Sequence, residues 1–207
     1  MAVILEKKGS KVSLTKKEEA NLGEILINLN WNQKITQPKG FFQTLFGASA
    51  TSQSVDLDLG CLYELKNGTK GCIQALGRNF GSSLNSEPYI VLDGDDRTGE
   101  NNQGENIRIN GNKISEIKRI LLFTYIYEGA VNWADANGIV TIKSNFNEDI
   151  IIHMDEHKNN YLMCALAMIT NENDNSFSIE KLVEYYPGHK AMDRAYKWNM
   201  QWKPGKK

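Results

Sequence analysis

The chain has 207 residues, a formal net charge of −1, 24% charged residues and 41% hydrophobic residues. This balance excludes an intrinsically disordered chain, which would combine a high net charge with few apolar residues. It also gives no sign of a basic nucleic-acid-binding protein, and no apolar run approaches the ~20 residues of a membrane-spanning helix. The length predicts one domain over residues 1–207.

Apolar and polar side chains alternate along most of the chain, which is the two-residue period of β-strands. In residues 24–31, for example, Ile25, Ile27 and Leu29 fall on one face. Ten segments are predicted as strands, in chain order: EILINLNW, VDLDLGCLYEL, GCIQAL, PYIVLD, NIRIN, IKRILLFTYIY, GIVTIK, EDIIIHM, YLMCALAMIT and SFSIEKLVEYY. Asn67-Gly68 predicts a tight hairpin between the second and third. Short strands without long helices between them predict an all-β fold, an antiparallel β-sandwich of two packed sheets.

Residues 32–54 interrupt this pattern and are predicted to form a loop insertion. They combine an apolar patch, Phe41-Phe42 and Leu45-Phe46, with a tail rich in Ser, Thr and Ala. Two interpretations of the patch are open: a docking surface for a partner, or a loop that folds its aromatic rings onto its own domain, which is the commoner case.

Residues 187–207 predict a short C-terminal helix, because Pro187 suits a first turn. Apolar residues follow it at helical spacing: Met192, Ala195, Tyr196 and Met200. The segment has a net charge of +5, and Trp198 and Trp202 are interleaved with its basic residues. Such a segment can bind an acidic partner or a nucleic acid. We favour the alternative, in which the aromatic rings pack on the sandwich and the lysines are solvated.

Three cysteines, Cys61, Cys72 and Cys164, are widely spaced and form no C-x-x-C motif. An odd number of such cysteines is typical of a reducing compartment rather than of a disulfide framework. The first residues have only a short apolar run before charges intervene, and so no signal peptide is predicted. We therefore expect a cytoplasmic protein.

The segment with the most distinctive chemistry is residues 93–105, DGDDRTGENNQGE, with five acidic residues, one arginine and a net charge of −4. Crowded carboxylates repel one another unless a cation binds, and a flexible Gly-rich loop suits Ca²⁺, which takes roughly six to eight oxygen ligands. The lack of thiol and imidazole groups in the loop argues against zinc. The spacing does not fit an EF-hand. An acidic, solvated hairpin loop without an ion is the alternative.

Asp56 and Asp58 form a second acidic pair, on one face of a predicted strand whose other face is apolar. If this strand lies near the acidic loop, the two carboxylates complete one or two ion sites. From the sequence alone, an outward-facing polar strand surface is the favoured interpretation. A phosphoryl-transfer nucleophile is disfavoured, because such a pair follows a buried parallel strand, and here the apolar strand comes after the pair.

Several stretches together resemble the tellurite-resistance and stress proteins of the TerD/TerA type. The resemblance begins with DLDLGCLYEL, QALGRNFG and PYIVLDGDDRTGENNQGENIRIN, and continues with FTYIYEGAVNWADANG. The final GHKAMDRAYKWNMQWKPGKK is similar to the TerA branch. The resemblance covers most of the chain from about residue 21 onward.

The resemblance implies a Ca²⁺-binding β-sandwich, with one or two ions held by acidic loops at one end, in a cytoplasmic bacterial stress system. No enzymatic activity is implied. The implied metal-site residues are Asp56, Asp58, Asp95, Asp96, Thr98, Gly99 and Glu100, with Glu105 at the end of the loop and Asp93 as an addition. Residues 101–104, Asn-Asn-Gln-Gly, replace carboxylates of typical members, which weakens one site. The expected partners are other proteins of the system, any membrane contact is made through a partner, and nucleic acid is not expected.

One competing motif is His153-Met154-Asp155-Glu156-His157, which fits the H-x-x-E-H signature of a zinc-dependent hydrolase. That chemistry requires a helix that turns both imidazoles to one face. The three isoleucines before His153 predict a strand that ends in a polar turn. A metal-dependent hydrolase is therefore the alternative function, and the disfavoured one.

Overall fold

The computed structural model describes residues 2–16, 21–32, 34–36, 52–54, 56–93, 104–128, 133–145, 147–154 and 161–205. The described residues form fourteen strands: β1 (Ala2–Ile4), β2 (Lys11–Thr15), β3 (Glu24–Asn30), β4 (Lys34–Thr36), β5 (Ser52–Ser54), β6 (Asp56–Leu65), β7 (Lys70–Gln74), β8 (Ile90–Leu92), β9 (Glu105–Asn110), β10 (Ile117–Glu128), β11 (Gly138–Ser144), β12 (Asp149–Met154), β13 (Met163–Glu172) and β14 (Ser176–Tyr186). They also form a 3-10 turn, Gly111–Lys113, and two short helices, α1 (Trp133–Ala136) and α2 (His189–Ala195).

Two six-stranded sheets pack against each other. The first has the strand order β1-β12-β11-β3-β9-β8, and the second has the order β2-β14-β13-β10-β6-β7. The predicted all-β sandwich is confirmed, and each of the ten predicted strands is present. The predicted hairpin also forms: Gly68, between β6 and β7, has a φ of 88°. One pairing departs from the antiparallel prediction, because β1 runs parallel to β12.

Two regions differ from the sequence-based expectations. Strands β1 and β2 were not predicted, because three and five residues at sheet edges give too short an alternation to stand out. Residues 32–54 are not a loop throughout, since β4 and β5 pair in antiparallel fashion near the two ends of that segment. The apolar patch at 41–46 lies outside the described residues.

The main core lies between the two sheets and is built from the inward faces of their strands. Ile25, Ile27 and Leu29 of β3 are fully buried there, as the period of that strand requires. Leu57 and Leu59 of β6 face them from the second sheet and are also fully buried. Removing this apolar surface from water, at about 25 cal/mol per Å², is the main driving force for the fold.

A second apolar cluster lies on the outer face of the second sheet and is covered by residues 187–205, the C-terminal segment. Phe123 and Tyr125 of β10 contribute to it from the sheet, and Met192 and Trp198 contribute from the segment. Trp198 is fully buried, and its indole N–H donates to the Tyr63 carbonyl at 3.2 Å. The predicted C-terminal helix and the packing of its aromatic residues are thus confirmed. Strand β6 is therefore buried on both faces along most of its length.

The C-terminal segment is held in place by a buried carboxylate in α2. Asp193 is 5% exposed. It accepts hydrogen bonds from the backbone N–H groups of Asn199 and Met200, at 2.8 and 3.0 Å, and from the Trp202 indole at 2.8 Å. These bonds close the chain after α2 into a turn that brings Trp202 back against the sheet.

Candidate acidic site

Two buried carboxylates lie near the same part of β6, where this strand of the second sheet passes β9 of the first. Asp58 in β6 is completely buried, and Glu105, the first residue of β9, is 3% exposed. The Glu105 carboxylate reaches across the sandwich and accepts a hydrogen bond of 2.5 Å from the backbone N–H of Leu59. Leu59 directly follows Asp58 in the chain, so the structure brings these two predicted residues together. We call Asp58 and Glu105 the acidic site.

Tyr125 of β10 connects to both carboxylates. It is the cross-strand partner of Asp58 in the register of β6 and β10, and it is 5% exposed. The Tyr125 hydroxyl donates a hydrogen bond to the Asp58 carboxylate and accepts one from the Leu76 backbone N–H at 3.1 Å. Burial raises the pKa of Tyr125 strongly, and the charge of Asp58, its hydrogen bond and the charge of Glu105 raise this pKa further. Both carboxylates therefore lie near one phenol.

The predicted acidic loop ends at this site, because Glu105 is its last residue. Strands β8 and β9 form the hairpin that carries it, with the Asp93 N–H bonded to the Asn106 carbonyl at 2.9 Å. Gly104, just before Glu105, has a φ of 71°, and a Cβ there would lie 2.0 Å from the Leu29 carbonyl oxygen. Only glycine fits this position without a shift of the backbone. The tight return of the chain at Gly104 sets the direction in which Glu105 enters the site.

Five of the predicted metal-site residues lie outside the described residues: Asp95, Asp96, Thr98, Gly99 and Glu100. Their role as ligands stays a prediction. Asp56, the first residue of β6, is partly exposed and stands opposite Glu128 in the strand register. By the period of the strand it shares a face with Asp58. The expectation that this face is solvated is wrong for Asp58, because Phe123, Tyr125 and the C-terminal segment cover that face of the sheet.

Asp93 lies elsewhere, on the outer face of the first sheet. Both of its carboxylate oxygens accept hydrogen bonds from Arg108 Nε at 2.8 Å. Arg108 also donates to the Glu24 carboxylate at 2.5 Å, and these two partners raise the pKa of the guanidinium. Ile107 and Ile109 on either side of Arg108 are fully buried in the core, so this ion pair faces away from the acidic site. The structure thus brings together Asp58 and Glu105 and leaves Asp93 paired with Arg108.

The competing H-x-x-E-H motif begins in an extended strand. His153 belongs to β12, opposite Ile139 of β11, as the run of isoleucines predicted. Glu156 and His157 lie outside the described residues. Over the described ranges, no three His, Cys, Asp or Glu side chains cluster as ligands of one metal ion. The described part of the acidic site accordingly supplies two carboxylates.

Among the described residues at the site, Tyr125 was not predicted from the sequence. Nothing in the FTYIYE stretch marks this tyrosine, because its importance comes from the register that places it opposite Asp58. An alternation-based reading assigns it to a strand face but does not say which residue of which strand it meets.

The two packed six-stranded sheets place the chain among the β-sandwich proteins. The sequence places the chain within them more narrowly: a TerD domain model matches residues 1–144, and the chain belongs to the TerD domain family. A tellurium resistance protein TerA from an Alcaligenes species is 40% identical over 96% of this chain. The chain spans 59% of that relative's length.

Two solved structures share the fold. One is a homologue of telluride resistance protein TerD from Streptomyces coelicolor A3(2), with a TM-score of 0.52 and 13% identity over 83% of this chain and 95% of that one. The other is a protein of unknown function, with a TM-score of 0.53 and 13% identity over 84% of this chain and 95% of its own. At this identity the likeness supports the fold alone. Neither of the helices α1 and α2 nor any other helix among the described residues has the length and apolar character needed to span a membrane.

Proposed function

We propose that this chain is a calcium-binding, non-enzymatic component of a bacterial tellurite-resistance and stress-response system in the cytoplasm. Membership of the TerD domain family and the likeness to a tellurium resistance protein TerA support the tellurite-resistance part of this proposal. The calcium part rests on the acidic site. Ion binding and tellurite resistance are linked if the ion controls which surfaces the protein presents to its partners.

The main support for the proposal is that two carboxylates are buried near the same part of β6. Asp58 belongs to this strand, and Glu105 binds the backbone N–H of the next residue, Leu59. Burying one carboxylate costs free energy, and placing a second one close to it adds repulsion. A bound cation offsets both costs. The donors are hard oxygens in a chain that reaches the site through an acidic loop, and this donor chemistry fits Ca²⁺ better than zinc.

We propose that Asp58 and Glu105 are the fixed part of the calcium site. Asp56, the first residue of β6, is a further ligand. The loop residues Asp95, Asp96, Thr98, Gly99 and Glu100 complete one or two sites. Asp93 contributes less, because it already binds Arg108. The amides at 101–103 carry no charge, which favours a single strong site over two equal ones.

Ca²⁺ would act by electrostatics and ordering. The ion neutralises the −4 charge of residues 93–105 and orders the loop. The ion-bound end presents a surface to other proteins of the system, and any membrane association follows from such a partner. An affinity of about 10⁻⁷ to 10⁻⁵ M would allow the protein to respond to changes in free calcium.

The decisive experiment is calorimetric titration of the EDTA-stripped protein with CaCl₂, paired with melting curves at each ion concentration. We expect heat of binding and a rise in melting temperature, because an ion that binds only the native state stabilises it by mass action. Asp58→Asn should abolish most of the binding. Asp149→Asn is the matched control, since Asp149 is a partly exposed β12 residue paired with Lys143 at 3.6 Å. Absence of both heat and stabilisation at millimolar Ca²⁺ would exclude the calcium function.

A further inference from the structure

We propose that Tyr125 is a positioning residue of the calcium site, which holds the Asp58 carboxylate in place and links it to the C-terminal segment. This inference rests on the calcium-binding function proposed above. It concerns a residue that supplies no ligand oxygen in that proposal and that lies on a different strand from every proposed ligand.

The Tyr125 hydroxyl makes two hydrogen bonds. Its proton is directed to Asp58, and its oxygen accepts the Leu76 backbone N–H at 3.1 Å. A hydroxyl that both donates and accepts has its rotation fixed, and a fixed donor in turn restricts the rotation of the carboxylate. Leu76 lies two residues after the end of β7, so three stretches of chain converge on this one hydroxyl.

The Tyr125 ring packs against the C-terminal segment. The His189 ring of α2 lies 5.6 Å from it, and the Phe123 and Trp202 rings lie 5.6 and 4.8 Å from His189. His189 is itself fixed, because its Nε2 is 2.7 Å from the Gln74 side-chain oxygen. The C-terminal segment therefore packs directly behind the residue that holds Asp58.

A fixed Asp58 carboxylate should strengthen ion binding. A metal site gains affinity when its ligands are already oriented, and loss of a hydrogen-bonding partner of a ligand typically costs about 10-fold to 100-fold in affinity. Tyr125 donates to Asp58 from outside the proposed ligand set. Its loss should leave the ligands present but poorly oriented.

The test compares Tyr125→Phe with Tyr186→Phe. Both variants remove one hydroxyl from the second sheet, and the Tyr186 hydroxyl donates to Glu184 at 2.6 Å, away from the acidic site. We expect Tyr125→Phe to weaken Ca²⁺ binding by about 10-fold or more. Tyr186→Phe should lower the melting temperature without changing the affinity. Equal calcium affinity of Tyr125→Phe and the wild type would overturn the proposal.

A third variant covers the case in which Tyr125→Phe does not fold. His189→Gln removes the ring behind Tyr125 and leaves every carboxylate in place, and we expect it to weaken calcium binding by less than the ~10-fold expected for loss of the hydroxyl itself. Wild-type affinity in this variant would overturn the link to the C-terminal segment. The outcomes also separate the two proposals: a wild type that binds no Ca²⁺ removes both, whereas a wild type that binds while Tyr125→Phe binds equally well removes only the positioning role.

Discussion

The Arg119 guanidinium lies over the Trp198 indole, 3.9 Å from the ring centre, and joins the second sheet to the C-terminal segment. The same arginine donates to the Glu64 carboxylate at 2.6 Å and to the backbone carbonyls of Tyr196 and Lys197. Burial alone would raise the pKa of Glu64, but the hydrogen bonds from Lys118 and Arg119 hold this pKa below its usual value. One side chain therefore connects an ion pair, a stacked ring and two backbone groups.

Arg119→Ala should destabilise the protein by about 2–4 kcal/mol, because the change removes the stacking on Trp198 and leaves the nearly buried Glu64 with weaker partners. Urea unfolding followed by tryptophan fluorescence measures this loss. Lys118→Ala is the matched control, since Lys118 binds the same carboxylate at 2.8 Å but its side chain is 57% exposed. The control should cost less than about 1 kcal/mol, and equal costs for the two variants would contradict the stacking role.

Asp58→Asn should stabilise the calcium-free protein by about 1–2 kcal/mol, because it removes a buried charge close to Glu105 while the amide oxygen still accepts from Tyr125. The same variant should gain little stability from added Ca²⁺. Melting curves in EDTA and in CaCl₂ test both statements together. If the calcium-free variant is clearly less stable than the calcium-free wild type, the charge of Asp58 stabilises the folded protein and is not kept for ion binding.

Folding stability should fall as the pH drops from 7 to 5, in part through His189. Burial lowers the pKa of His189 from 6.5 to about 4. Between these two values the unfolded chain binds the proton and the folded protein does not, so acidification favours unfolding. The contribution amounts to about 2 kcal/mol between pH 7 and pH 5.

His189→Gln should reduce that pH dependence, because glutamine carries no titrating group. Glu64 and Glu184 have lowered pKa values in the folded state, and their contribution is lost only at more acidic pH, below the usual range of a glutamate. Denaturant titrations at pH 7, 6 and 5 on both proteins measure the difference. An identical pH dependence in the variant would mean that His189 does not stay neutral in the folded state.

Gly104→Ala should cost about 3 kcal/mol or more, since the new Cβ would meet the Leu29 carbonyl oxygen and the residue has a positive φ. It should also weaken Ca²⁺ binding, because Gly104 sets the path of Glu105. Gly68→Ala is the control: its φ is 88°, but a Cβ there meets no atom within 4 Å. The control should cost about 1 kcal/mol and leave ion binding unchanged. Thermal unfolding and calorimetry on both variants provide the comparison.

Much of this fold could be predicted from the sequence, because alternation along a strand is a local signal. The segment EILINLNW shows it plainly, and β3 has the predicted inward residues Ile25, Ile27 and Leu29. The burial of Asp58 could not be predicted in this way. It depends on a C-terminal segment that lies more than a hundred residues later in the chain and covers the outer face of β6.

For the same reason, the acidic site could be predicted only in part from the sequence. The residue types of Asp58 and Glu105 pointed to an ion, but their closeness results from the packing of two sheets. The pairing of Asp93 with Arg108 results from the register of β8 and β9. Tyr125 lies opposite Asp58 because of the register of β10 and β6. Register and packing are non-local properties, and composition and spacing do not determine them.

The pairing of the first two strands has a consequence for how the chain is made. β1 pairs with β12, and β2 pairs with β14, so both N-terminal strands pair with strands from the last third of the sequence. A ribosome delivers residues in order, and β2 has no sheet to join until residues 176–180 have emerged. Contacts of such long sequence separation form slowly. Closure of the second sheet therefore follows the synthesis of residues 176–180, and the N-terminal strands remain available to chaperones, or to the wrong neighbours, until then.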